Sequence, residues 1–86
     1  MPARKPTQKQ LEKLQPQIRK QVENLFHENV LVRSDAAEAL GRIGDENATP
    51  HLIKALEDKH ELVRSNAARA LGSIGHENAI PHLIKA

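Results

Sequence analysis

Residues Leu31–Ala55 read LVRSDAAEALGRIGDENATPHLIKA, and residues Leu62–Ala86 read LVRSNAARALGSIGHENAIPHLIKA. The two stretches are offset by 31 residues, and only five of their 25 aligned positions differ: Asp35/Asn66, Glu38/Arg69, Arg42/Ser73, Asp45/His76 and Thr49/Ile80. Chance does not produce such agreement. A period of roughly 20–50 residues marks an array whose units cannot bury their apolar faces alone, so that neighbours stack to make one core.

Each unit reads as a helix pair. In the first helix Val32, Ala36, Ala39, Leu40 and Ile43 recur at helical spacing. Asn29 stands where an N-cap would accept a hydrogen bond from the first turn, and Gly44 where a left-handed residue would close the helix. Asp45 or Asn47 caps the second helix, Pro50 fits its first turn, and Ala48, Leu52, Ile53 and Leu56 form its apolar stripe. The second copy repeats the pattern with Val63, Ala67, Ala70, Leu71 and Ile74, then Gly75, then Ala79, Pro81, Leu83 and Ile84. Small Ala residues, with Gly41 and Gly72, let helices approach closely. One period earlier, Ile18, Val22 and Leu25 fall under Thr49, Ile53 and Leu56, so Gln17–His27 is a degraded second helix of an earlier unit. Leu11 and Leu14 fit a short helix after Thr7 that breaks near Pro16. Such a polar, irregular first unit suits a terminal cap. The expected architecture is all-α, a right-handed α-solenoid of antiparallel pairs with helices near 8–15, 17–27, 30–43, 46–57, 61–74 and from about 77. Residues 1–16 form a basic leader and 17–86 the repeat domain, divided into a partial capping repeat 17–28, a repeat 29–59 and a truncated repeat 60–86.

Composition narrows the functions. A chain of 86 residues makes one domain with a modest core. It has no Cys, hence no disulfide framework, and a cytoplasmic location is expected. No apolar run suggests a membrane span and the N-terminus is not a secretory signal. Phe26 is the sole aromatic residue, so stacking platforms for single-stranded nucleic acid are lacking. Residues 1–20 hold six Lys or Arg against Glu12, whereas 21–86 hold seven against ten Asp or Glu. The leader is basic and the repeats are mildly acidic, which argues against nucleic acid as the partner of the repeats and leaves the basic leader as the one route to phosphate.

The residues Val32-Arg33, Ala36-Ala37, Ala39-Leu40-Gly41, Ile43-Gly44-Asp45, Ala48, Pro50, Leu52-Ile53 and Ala55-Leu56 resemble a HEAT-like repeat, of the short type found in phycobilin lyases and other scaffold proteins. The likeness is strong over 29–86, weak over 17–28 and absent over 1–16. It implies a non-enzymatic scaffold that binds another protein, with a phycobilin-lyase-like subunit or a chaperone as the alternative. The shortage of aromatics argues against a tetrapyrrole pocket. Deoxyhypusine hydroxylase resembles this architecture and binds two irons through His-Glu pairs directly after the Val-Arg motif. Here Ser34-Asp35 and Ser65-Asn66 stand at those places, so neither a catalytic role nor a cofactor is expected. His27-Glu28, His60-Glu61 and His76-Glu77 lie at helix boundaries and turns.

Three sets of residues are candidates for function. Arg33 and Arg64 form a structural ladder, expected to pair with Asp35, Asp45 or Glu46. In HEAT-like solenoids the second helix of each pair lines the concave side, which implies a polar, positive stripe of His51, Lys54, His82 and Lys85 open to an acidic partner. Units packed about 8–10 Å apart keep the two His from converging on a metal that needs ligands near 2 Å, so no metal site is expected. Finally, the second copy stops at Ala86 whereas the first continues through Leu56, so Leu71, Ile74, Leu83 and Ile84 are expected to form an uncovered edge. Self-association through that edge, as a homo-oligomer, or a longer array is expected in preference to a stable monomer.

Overall fold

A computed structural model describes residues 5–85, with side chains through Asn78. Regular structure among the described residues is entirely helical: α1 (Gln8–Glu12), α2 (Pro16–Asn24), α3 (Val30–Ile43), a 3₁₀ turn (Glu46–Ala48), α4 (Thr49–Ala55) and α5 (Glu61–Lys85). The helix starts follow from local chemistry. The Thr7 hydroxyl accepts from the Gln10 N–H while the Gln10 side chain accepts from the Thr7 N–H, a capping box. Pro16 opens α2, where its missing N–H costs nothing. Asn29 Oδ1 accepts from the Leu31 N–H at 2.8 Å and Asp45 Oδ1 from the Asn47 N–H at 2.8 Å. Gly44 ends α3 at φ 75°, a left-handed conformation that glycine adopts without a Cβ penalty.

The 31-residue register governs the loops even where residues differ. His27 Nδ1 accepts from the Asn29 N–H, and one period on Asp58 Oδ1 accepts from the His60 N–H. Asn29 caps Leu31, and His60 Nδ1 caps Leu62 in the same way. The turn before each first helix is therefore one geometry written with two side-chain sets.

The helices pack through small residues. α3 lies against α5 and α2, α4 against α5, and α1 against α2. Leu11, Leu14, Ile18, Val22, Leu25, Ala36, Ala37, Leu40, Ala48, Leu52, Ala55, Ala67, Ala70 and Ile74 form one continuous core. Leu11 of α1 and Leu14 of the turn after it join this core, and Arg19 of α2 ties both down by donating to the carbonyls of Leu11 (3.0 Å) and Leu14 (3.1 Å). Three expected core residues face outward instead: Ile43, Ile53 and Leu56 are all exposed. Their helices turn Gly41, His51 and Ala55 inward in their place.

The largest departure from the expected pattern lies in the second copy. A break near Gly75 and a separate helix from about 77 were expected there. Instead α5 runs through Gly75 without interruption to Lys85. The first copy's turn rests on left-handed Gly44 and the Asp45 cap. In the second copy His76 replaces Asp45, which removes the carboxylate that held the turn.

Gly41 and Gly72 are register equivalents with opposite surroundings. A Cβ on Gly41 would lie 2.9 Å from Cα and Cβ of Ala70, whereas nothing among the described residues lies within 4 Å of one on Gly72. Substitution by Ala removes a helix-propensity penalty of about 1 kcal/mol at either site. At Gly41 the clash falls on backbone, and overpacking of about 1–3 kcal/mol outweighs that gain. Urea denaturation should show Gly41→Ala destabilised by up to about 2 kcal/mol and Gly72→Ala stabilised by about 0.5–1 kcal/mol. Equal effects at the two sites would contradict the close approach of α3 to α5.

Candidate interaction surfaces

Arg33 is 7% exposed, yet every arm of its guanidinium is occupied. Nη1 donates to the carbonyls of His27 (2.9 Å) and Glu28 (2.8 Å), Nε to Asp58 Oδ2 (2.7 Å) and Nη2 to Asp58 Oδ1 (3.2 Å). The expected partners Asp35, Asp45 and Glu46 are not the ones used. Side chains on a helix lean toward its N-terminus, which carries Arg33 to the loop before α3 and the following loop at Asp58. Asp35 is exposed and Asp45 lies beyond the other end of α3. Arg64 repeats the loop contact, with Nη1 donating to the Asp58 carbonyl at 2.8 Å, but is exposed. A further link escaped the sequence pattern: Asn66 Nδ2 donates to Ser34 Oγ at 2.6 Å and to the Ser34 carbonyl at 3.2 Å, joining α5 to α3. The signal was the Asp35/Asn66 difference, since an ionised aspartate has no proton to donate.

The expected stripe on α4 is divided by its burial. His51 is 6% exposed, so it belongs to the interior and not to an open polar face. Its Nδ1 has no hydrogen-bond partner among the described residues. Burial, and then the charge of Lys54, hold its pKa below the ordinary value of 6.5, so the imidazole is neutral. Lys54 is half-buried, while Ile53 and Leu56 are open to solvent. The side chains of His82 and Lys85 lie outside the described residues.

The expected self-association edge is also redistributed. Ile74 is 2% exposed and part of the core, because Asn78 and the Gly44 turn close over the end of α3 beside it. Leu71 is partly buried against the core, and Leu83 and Ile84 lie outside the described side chains. The large apolar residues that the described surface does expose are Leu31, Ile43, Ile53, Leu56 and Leu62.

Two hollows adjoin Phe26. One of about 330 Å³ is lined by Leu25, Phe26 and the Arg33–Asp58 pair, with Lys5, His27, Glu28 and Lys59 around it. The other, of about 240 Å³, shares Lys5 and Phe26 and adds Pro6, Leu11 and Glu23. Together they form an apolar groove whose rim carries Lys5 and Lys59, both exposed. A third hollow of about 290 Å³ lies along the α3–α5 seam, where Glu38, Arg42, Arg69 and Glu77 balance in charge. Among the described residues no three His, Asp or Glu side chains converge as a metal site, and no helix is long and apolar enough to cross a membrane.

A family model described as HEAT repeats matches residues 11–86, beginning at Leu11 near the end of α1. A search of curated proteins finds no match.

Breaking the Arg33–Asp58 pair strands a buried charge. Arg33→Met should cost about 3–5 kcal/mol in chemical denaturation, and the exposed Arg64→Met less than about 1 kcal/mol. Similar losses for the two would mean that the buried pair is no anchor. For His51 the folded pKa is lowered, so the unfolded chain takes up a proton more readily. The stability due to neutral His51 is complete above pH 6.5 and is lost as pH falls below that toward the lowered folded value. Denaturation midpoints measured from pH 7 down to 5 should fall, and the fall should be shallower in His51→Gln. An unchanged slope in that variant would exclude His51 as its source.

Proposed function

Because the chain belongs to the HEAT repeat family, we propose that it is a non-enzymatic scaffold whose helix pairs stack as a short α-solenoid around a protein partner. HEAT repeats commonly mediate protein–protein interaction. The polar side chains inside this fold support a structural use: Arg19, Arg33, Asp58, Asn66 and Asn78 all spend their hydrogen bonds within the chain.

The observation that carries the reading is the Phe26 groove. It offers apolar surface next to two exposed lysines, at the end of the chain where residues 1–20 hold six Lys or Arg against one Glu. Such a surface suits a segment of another protein with an apolar anchor between acidic residues. The apolar anchor would supply affinity and the charges orientation and rate. Lys54, half-buried on α4, remains the second place for an acidic contact.

Panning a displayed peptide library against the chain tests this. Enriched peptides should combine an apolar anchor with flanking Asp or Glu. The double variant Lys5→Glu/Lys59→Glu should bind them roughly three- to tenfold more weakly with an unaltered unfolding transition, as two exposed charge pairs allow. Peptides without acidic bias, or equal binding by the double variant, would refute the groove. Loss confined to Lys54→Glu would move the site to α4.

A further inference from the structure

The five positions at which the two copies differ are spaced three, four, three and four residues apart, which is the spacing of one stripe along a helix. On α5 the stripe is Asn66, Arg69, Ser73 and His76. On α3 it is Asp35, Glu38 and Arg42, with Asp45 just beyond the Gly44 turn. Glu38, Arg42, Asn66, Arg69 and Ser73 of this stripe all line the hollow on the α3–α5 seam, together with the buried Gly41 and Ala70. The differences are gathered on one face, and the core does not call for them, because Glu38, Arg42, Arg69 and Ser73 are exposed.

What changes along the stripe is charge. The α3 side carries Asp35, Glu38 and Asp45 against Arg42, whereas the α5 side carries Arg69 and no acid. One turn beyond Ser73, Glu77 adds a carboxylate at the end of the hollow. α3 and α5 run parallel, since the contacts Ser34–Asn66, Gly41–Ala70 and Gly44–Asn78 rise together along both helices. Glu38 and Arg69 share the level between the first two contacts, and Arg42, Ser73 and Glu77 the level between the last two. Among the described residues this face holds one ion pair, Arg42–Glu38 at 3.9 Å, between two exposed side chains of the same helix.

We propose that this face pairs with the same face of a second copy of the chain. A two-fold axis parallel to the helices sets α3 of each copy against α5 of the other without reversing the levels. Glu38 then meets Arg69 of the partner subunit and Arg42 meets Glu77 of the partner subunit, and each contact occurs twice. The alternative axis, perpendicular to the helices, sets α3 on α3, so that the acid-rich side faces itself, which like charges disfavour. Gly41 and Ala70 keep the centre of the face low, so the aliphatic stems of the arginines can lie across it. The face is about 21 Å long on α3 and two helices wide, at the small end of interfaces, so the association is weak. No residue that lines this hollow lines the Phe26 groove, and pairing leaves that groove open.

Sedimentation over about 0.05–1 mM chain should show a concentration-dependent dimer. The dimer should dissociate as salt is raised to about 1 M, where charges are screened beyond about 3 Å. Glu38→Arg sets two basic side chains against each other, and Arg69→Glu two acidic ones. Each variant alone should dimerise at least about tenfold more weakly, with an unaltered unfolding transition because both positions are exposed. Mixed in equal amounts, the two variants should associate with each other to within about threefold of the parent, because contacts between positions 38 and 69 again join opposite charges. Mixing cannot mend a contact inside one chain, so recovery places the pairing between copies. A parent that stays monomeric overturns the proposal. So do single variants that dimerise as the parent does, which would move the contact to another surface such as Ile53 and Leu56, and variants that stay apart when mixed.

Discussion

At Gly41 the backbone of α3 meets Ala70 of α5 so closely that a methyl group would not fit, and the remaining contacts depend on that distance. Ala36 and Ala37 on α3 and Ala67 and Ala70 on α5 keep both helix faces low. Only at this separation can Asn66 reach across to Ser34 at 2.6 Å. The same approach sets α5, and the loop before it, where Asp58 meets Arg33. α4 then closes against α5. Larger side chains at the contact would bury more apolar area and would push these polar groups out of register. The small-residue seam trades hydrophobic gain for positional definition.

The Arg33–Asp58 pair shows what that definition achieves. Its side chains are only 8% and 11% exposed. Removing both charges from water is costly, and an apolar pair of similar volume often gives equal or greater stability. The guanidinium is worthwhile for geometry: its five donors form a fixed fork, and here they reach two carbonyls of the preceding loop and a carboxylate of the following one. One side chain thus fixes the spacing of two successive loops, which an apolar contact, lacking direction, does not.

Much of this was readable in the sequence, because the signals were local. Asn29, Gly44, Asp45 and Pro50 act as their residue types suggest, and the Val22–Leu25 row was found by register alone. The misreadings arose where burial depends on what stands beyond the helix. Polarity suggests that His51 lies outside, although α4 rolls it inward; apolarity suggests that Ile53 and Leu56 lie inside, although both face solvent. The partner of Arg33 was sought among nearby acids, whereas helix direction takes the side chain to residue 58. Periodicity reports which faces differ, and not which of two faces meets a neighbour.

The repeat also separates positions that build from positions that distinguish. Where the units agree, as at Leu25 and Leu56, the residue types suit packing and say nothing of a partner. The groove is made where they disagree. Phe26 has Glu57 as its register equivalent, His27 has Asp58 and Glu28 has Lys59, and five of these six line the larger hollow. His27 and Asp58 make the same loop bond with different side chains, so that difference belongs to the stack, whereas Phe26 opposite Glu57 does not share a bond in this way. An aromatic ring in a chain with one aromatic, set where the array is least regular and most basic, does little that a Leu would not do for the core. Its half-buried ring packs against the core on one side and borders the groove on the other, and it is on that second side that the proposed partner contact rests.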